Sequence, residues 1–406
     1  MMDGRVVIVG AGQAAVSCIA SLRAADAARP IVLVGEEEHL PYRRPPLSKS
    51  CLAEGISVES LLIRPASWYD GVGLRLGAGV EEISRRDGRL VLRNGEQLAY
   101  DQLVLCLGSR ARSLGREAGG DLAGVHTLRS LADAARLQAE FRPGRRLLVV
   151  GGGYLGLEVA AAARSRGLSV LLVEAGARIL GRVASATTAE HFRTIHAARG
   201  VEIREATGLD ALSGGERVQR AILSDDSEHE VDLVVIGIGG LANAELAAHA
   251  RLETANGIVV DAGCRTADPN ILAAGDCASF PLGGRNVRLE SVQNASDQGE
   301  IAAANLSGGQ RAYAPVPWFW SDQYDTKLQI VGIGNDHDSI VVRPGQRGGA
   351  KSIWYFRGEE LLAVDAINDP SSYMIGRRLL AAGISPARGD VANADLPLSA
   401  MLPPRG

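Results

Sequence analysis

Apolar residues run unbroken for four or five positions at several points in this chain and then give way at once to glycine. Residues 5–9 read R-V-V-I-V before Gly10, residues 146–150 read R-L-L-V-V before Gly151, residues 101–107 lead into Gly108, and residues 231–240 read V-D-L-V-V-I-G-I-G-G. Runs of this kind predict strands buried on both faces, as in parallel sheets covered by helices. Between them, apolar positions recur at helical spacing over residues 14–25, 130–141, 154–166 and 291–306. With further strands at 31–34 and 270–274, the order strand, helix, strand occurs twice, each time as a right-handed crossover. After Pro315 and Pro317 the pattern changes. Short β-like runs at 328–333, 339–343, 352–356 and 361–367 precede an amphipathic helix at 371–382, which predicts a separate α+β region.

The two places where a strand turns into a helix carry the same glycine spacing. One reads V-G-A-G-Q-A-A from Val9 to Ala15, the other V-G-G-G-Y-L-G from Val150 to Gly156. The first glycine (Gly10, Gly151) permits the tight turn. The second (Gly12, Gly153) lets backbone approach a pyrophosphate, and the third position (Ala15, Gly156) must be small so that helix and strand can pack. The unpaired amides at the helix start, aided by the helix dipole, receive the anion. Each unit then ends a second strand on an acid, Glu36 in I-V-L-V-G-E and Glu174 in V-L-L-V-E, placed to accept hydrogen bonds from a ribose. The reading is an α/β fold with two Rossmann-type nucleotide-binding domains and a C-terminal α+β domain. Its two nucleotides are a bound flavin dinucleotide and an exchanging nicotinamide one.

Composition narrows the classes. The 406 residues allow two or three domains with a sizeable core. A net charge of −4 argues against a nucleic-acid binder held by a basic surface. No apolar run approaches the ~20 residues of a membrane span, and the N-terminal apolar run reads as the first fingerprint, not as a signal peptide; a cytoplasmic location is expected. Five scattered cysteines without a C-x-x-C spacing fit reduced thiols, and seven histidines without ligand spacing give no metal site.

Beyond the fingerprints, the chain carries R-R-P-P-L-S-K at Arg43–Lys49, G-G-G-Y-L-G-L-E at Gly151–Glu158, A-A-G-D-C-A at Ala273–Ala278, E-S-V-Q-N-A at Glu290–Ala295 and W-F-W-S-D-Q at Trp318–Gln323. Together these resemble the FAD-containing, NADH-dependent ferredoxin reductases of bacterial oxygenase systems, over essentially the whole chain. The resemblance implies a glutathione-reductase-like arrangement: an FAD-binding domain over 1–112 and 241–312, an NAD-binding domain over 113–240, and a C-terminal domain over 313–406. It implies FAD contacts from Gly10, Gly12, Ala15, Glu36, Arg43, Lys49, Asp276 and Val292, with Asp276 on the ribitol chain and Val292 near the isoalloxazine. Gly151, Gly153, Gly156 and Glu174 would bind NADH. Lys49 and Glu158 would meet beside the flavin, the lysine favouring electron density on the ring and the glutamate limiting its movement. Bland alternatives stand beside these: Asp276 as a helix cap before Ser279, Lys49 and Glu158 as unrelated surface and helix-face charges, and Trp318 and Trp320 as interface packing. The sequence departs from the family at Ala242, where proline is usual, and in L-C-L-G at residues 105–108.

The implied partner is an acidic 2Fe-2S ferredoxin, met in a transient electrostatic complex that feeds a haem monooxygenase or ring-hydroxylating dioxygenase. Arg43, Arg44, Arg311, Lys327, Arg377 and Arg378 are candidate contacts. Alternatives are a rubredoxin or other small acceptor, a thiol-based flavin reductase, and a redox sensor resembling apoptosis-inducing factor. The thiol reading would need a cysteine in the loop where Lys49 stands, and Cys51 lies two residues on.

Overall fold

A computed structural model describes residues 4–55 and 57–402; residues 1–3 and 403–406, at the ends of the expected domains, and Ile56 lie outside the described residues. The chain divides into two compact units, each interrupted in sequence. The first comprises the described residues of Met1–Arg44, Ser57–Arg110 and Gly240–Pro315; the second those of Pro45–Ile56, Ala111–Gly239 and Val316–Gly406.

The first unit is built on a five-stranded parallel sheet in the order Ile271–Ala273, Gln102–Leu105, Val6–Val9, Ile31–Val34, Val72–Arg75. Val6, Val7, Ile8, Leu103, Val104 and Leu105 are all fully buried, which is why these strands read as unbroken apolar runs. The helices Gln13–Ala25 and Val292–Leu306 bury Ala15, Cys18, Ile19, Ala302 and Ala303 in the same core.

The second unit repeats the plan with strand order Val201–Glu205, Ser169–Glu174, Arg146–Val150, Leu233–Ile236, Val125–His126, again all parallel. It also contains the C-terminal antiparallel sheet, in the order Trp318–Gln323, Thr326–Gly332, Glu360–Ile367, Lys351–Arg357, Ser339–Pro344. The helix Pro370–Ala381 packs Tyr373 and Leu379 onto this sheet around Val331, Trp354 and Val364.

Two features escaped the sequence pattern. In each parallel sheet one crossover is a three-stranded meander and not a helix: Val80–Ser84, Arg89–Leu92 and Gln97–Ala99 in the first unit, Leu209–Gly214, Val218–Leu223 and Glu228–Glu230 in the second. The aromatic segment Trp318–Gln323 is itself a strand. Among the described residues no helix is long and apolar enough to cross a membrane, and no group of His, Cys, Asp or Glu is placed to hold a metal ion.

Candidate active site

In the first unit the strand Val6–Val9 ends at Gly10, whose φ is +107° and where an added Cβ would lie 2.1 Å from the Cys106 carbonyl oxygen. Both the left-handed backbone and the close approach exclude a side chain. The helix Gln13–Ala25 then starts from Gly12, which supplies no side-chain cap. A Cβ at Gly12 would meet nothing within 4 Å, so the amides of the first turn face an open cradle. Ala15 is fully buried at the third position. This donor set fits the pyrophosphate of a dinucleotide.

Around it, Glu36 is exposed and ion-pairs with Arg93 at 2.6 Å. Asp276 follows Gly275 and accepts a hydrogen bond from Ser109 Oγ at 3.2 Å. The element after it is the strand Ala278–Leu282, so Asp276 caps no helix. Val292 is the first residue of the helix Val292–Leu306, capped by Ser291.

The two arginines of R-R-P-P diverge. Arg43 is exposed and donates to the Ser60 carbonyl. Arg44 ion-pairs with Glu37 at 2.7 Å and lies 5.0 Å over the Tyr42 ring. Burial works against its charge, yet Tyr42, Glu37 and Asp276 together hold the Arg44 guanidinium more firmly protonated than usual. Arg44, Glu37 and Ser109 were not singled out for the nucleotide site by the sequence; only the doubled arginine hinted at the first.

The second unit holds the second cradle. Gly151 has φ +108°, and a Cβ there would lie 2.4 Å from the Gly237 carbonyl oxygen. The helix Tyr154–Ser165 starts from Gly153 without a side-chain cap, and a Cβ at Gly153 would again meet nothing within 4 Å. A Cβ at Gly156 would stand 2.0 Å from the Gly151 carbonyl oxygen, so the third position admits only glycine.

Glu174, at the end of the strand Ser169–Glu174, accepts the Gly152 N–H on one carboxylate oxygen and the Gly176 N–H on the other, both at 2.7 Å. These two bonds fix the carboxylate and leave further lone pairs for ribose hydroxyls. Arg178 is folded back, donating to the Ala184 carbonyl at 2.8 Å, while Arg182 is exposed.

Lys49 also belongs to the second unit, between the turn Pro45–Ser48 and the short helix Ser50–Ala53. Its Nζ lies 2.9 Å from Glu158 Oε2 and donates to the Pro45 carbonyl at 3.2 Å. Glu158, 5 % exposed on the helix Tyr154–Ser165, also accepts from Ser48 Oγ at 2.5 Å and Ser321 Oγ at 2.6 Å. The pair expected from the resemblance therefore forms, with two serines that the sequence reading quoted but gave no role. Trp318 and Trp320 lie with ring centres 5.8 Å apart, and the Arg377 guanidinium sits 5.8 Å from the Trp318 ring.

All five cysteines are free and buried. Burial raises the Cys51 thiol, so the loop of Lys49 holds no activated thiolate.

A family model described as pyridine nucleotide-disulphide oxidoreductase matches residues 4–299, and one described as reductase C-terminal matches residues 318–402. The anthranilate 1,2-dioxygenase system ferredoxin–NAD(+) reductase component of Burkholderia cepacia is 43% identical over 406 residues, covering 98% of each chain. Rhodocoxin reductase of Rhodococcus erythropolis is 41% identical over 398 residues, covering 97% of this chain and 93% of the relative. Among solved structures, the reductase in the covalent putidaredoxin reductase–putidaredoxin complex superimposes with a TM-score of 0.94 at 36% identity, over 99% of this chain and 98% of the other.

Proposed function

Because the chain belongs to the pyridine nucleotide-disulphide oxidoreductase family, we propose that it is an FAD-dependent NADH:ferredoxin oxidoreductase serving an oxygenase system. The Burkholderia cepacia relative, matched over 98% of each chain, is named as the ferredoxin–NAD(+) reductase component of a dioxygenase system. The domain division is the one set out from the sequence: FAD-binding over 1–112 and 241–312, NAD-binding over 113–240, and a C-terminal domain over 313–406. The observation that carries the reading is the Lys49–Glu158 pair at 2.9 Å, in a loop where a thiol reductase would need a reactive cysteine. Bound FAD supplies the exchange of one hydride equivalent for two single electrons.

The chain's own residues bind and orient. The amides after Gly12 hold one pyrophosphate and those after Gly153 the other. Glu36 and Asp276 would accept hydrogen bonds from the hydroxyls of FAD, with Arg43 a further contact and Val292 near its isoalloxazine. Glu174, already fixed by two backbone amides, accepts from the NADH ribose and repels a 2′-phosphate. Lys49 presents a fixed positive charge to the ring that receives electrons, and Glu158 restrains its position. Hydride transfer needs two rings held in contact and no protein acid, so positioning is the main contribution.

The partner is a ferredoxin. Its cluster is 2Fe-2S, and the complex is transient and electrostatic, with Arg377, over the Trp318 ring, and Arg378 among the contacts. The protein works in the cytoplasm. The purified protein is expected to be yellow, to release FAD on denaturation, and to reduce a 2Fe-2S ferredoxin with NADH. A protein that cannot be reconstituted with flavin overturns the assignment. Complete loss of ferredoxin reduction in Cys51→Ser with FAD still bound points instead to thiol chemistry.

A further inference from the structure

A row of buried side chains continues from Glu158 away from Lys49. Ser321 Oγ lies 2.6 Å from Glu158 Oε1, and Gln323 Nε2 lies 3.1 Å from Ser321 Oγ. Gln323 Oε1 lies 2.8 Å from His196 Nε2, and the Tyr324 hydroxyl lies 3.3 Å from His196 Nδ1. Ser321, Gln323 and His196 are all 0 % exposed. Ser321 and Gln323 are two residues apart on one strand and so share a face. His196 comes from the helix Ala186–Ala197, and Glu158 from the helix Tyr154–Ser165.

The direction of each bond follows from counting protons. Ser321 has one hydroxyl hydrogen, and the Glu158 carboxylate takes it. Gln323 must then turn its amide N–H toward Ser321 and its carbonyl toward His196. That carbonyl requires the imidazole hydrogen on Nε2, which leaves Nδ1 to accept from Tyr324. Burial lowers His196 to about 4, so the ring is neutral near pH 7 and carries the single N–H that this arrangement needs.

Every link thus points toward Glu158, and bonds aligned in this way polarise one another. The far end is tied down as well. Tyr324 sits in a left-handed turn conformation with φ +55°, under the Arg199 guanidinium at 4.4 Å, and Arg199 donates to Asp325 at 2.6 Å. An apolar set of equal volume would pack here without the cost of burying a hydroxyl, an amide and an imidazole. What the polar set adds is orientation.

We propose that Ser321, Gln323 and His196 are positioning residues, a one-way hydrogen-bond row that fixes the Glu158 carboxylate and through it the place of the Lys49 ammonium. The proposal rests on the reading that Lys49 acts beside the flavin.

The sequence offers a direct probe, because its lysines are three: Lys49, Lys327 and Lys351. In FAD-loaded protein labelled with 15N- and 13C-lysine, the Lys49 ammonium gives one signal, assigned by its loss in Lys49→Met. Ser321→Ala removes the donor to Glu158. Gln323→Glu keeps the shape but, as a carboxylate, cannot donate to Ser321. The expected result in either variant is a shifted or exchange-broadened Lys49 signal with FAD retained. Hydride transfer slows about tenfold at unchanged KM for NADH, in keeping with the cost of small misplacements. A Lys49 signal at the wild-type position in whichever variant folds overturns the proposal. If the Lys49 signal moves, but the absorption spectrum and potential of the flavin respond neither in these variants nor in Lys49→Met, the row stands as support for the ion pair. The placement of Lys49 beside the flavin then falls.

Discussion

Asp365 offers a test in which the sign as well as the size is set by the structure. It lies in the strand Glu360–Ile367, 2 % exposed, and its Oδ2 accepts from the Tyr355 hydroxyl and from Thr188 Oγ1, the latter at 2.7 Å. Tyr355 also accepts the Ser185 N–H at 2.9 Å, so this cluster joins the C-terminal sheet to the start of the helix Ala186–Ala197. Burial raises the Asp365 carboxyl from its ordinary value of 3.8 to about 6, against the pull of the two hydroxyl donors. Between those two values the folded protein keeps a proton that the unfolded chain has released. Stability therefore falls as pH rises from about 4 to about 6, and the loss persists above that.

Two pH units at about 1.4 kcal/mol each make the penalty about 3 kcal/mol at neutral pH. Asp365→Asn removes the titration and keeps a carbonyl oxygen for Tyr355 and Thr188. Urea unfolding of both proteins across this range should show the variant gaining about 3 kcal/mol relative to wild type as pH rises from about 4 to about 7. A difference that stays flat, or that runs the other way, refutes the argument that desolvation of Asp365 outweighs its two hydroxyl donors and the nearby His337.

Glu174→Ala removes the charge that disfavours a 2′-phosphate and also frees Gly152 and Gly176, so kcat/KM for NADH should fall while the NADH over NADPH preference narrows about tenfold or more; an unchanged ratio of the two efficiencies would place the selectivity elsewhere. Cys51→Ser should leave ferredoxin reduction nearly intact, and a thiol reagent should label none of the five cysteines in the native protein; rapid labelling at any of them contradicts their burial. Reversing Arg311 and Arg377 to Glu should slow ferredoxin reduction and flatten its salt dependence while sparing NADH–ferricyanide activity; equal loss of both activities would assign these residues to the fold. Arg343, 5 % exposed, donates to the carbonyls of Val391, Asn393, Ala394 and Leu396 at 2.6 to 3.2 Å. Arg343→Met should cost about 3 kcal/mol in urea unfolding and speed hydrogen exchange over residues 388–402; unaltered exchange there would show that the segment does not depend on this cation.

What could be read from the sequence, and what could not, follows from where the stabilising partners lie. Parallel strands such as Val6–Val9 and Arg146–Val150 are buried on both faces, so their own residues announce them, and the glycine after each is demanded by its positive φ and by the carbonyl of Cys106 or Gly237 at the end of the neighbouring strand. The meanders at 80–99 and 209–230 are half-exposed and short, with mixed polar and apolar positions, and no local pattern separates them from loops. Arg43 and Arg44 are adjacent and chemically alike. Only the placement of Tyr42 and Glu37 decides that the second is held in the interior-facing ion pair and the first is turned to the Ser60 carbonyl.

The polar residues of the second unit carry this furthest. Lys49 and Glu158 are brought together across 109 positions, and the link was legible only because the surrounding motifs resemble a family in which they meet. Ser321 and Gln323 follow three aromatic residues, and in a pattern reading they look like the point where a buried segment surfaces. In the structure they are completely buried, because Glu158 and His196, both far upstream, take their hydrogen bonds. A polar residue on the inward face of an otherwise apolar strand carries a cost that burial alone does not repay. It persists where a distant partner needs its geometry, so the S-x-Q step that breaks the aromatic run is itself the mark that this strand reaches into the site.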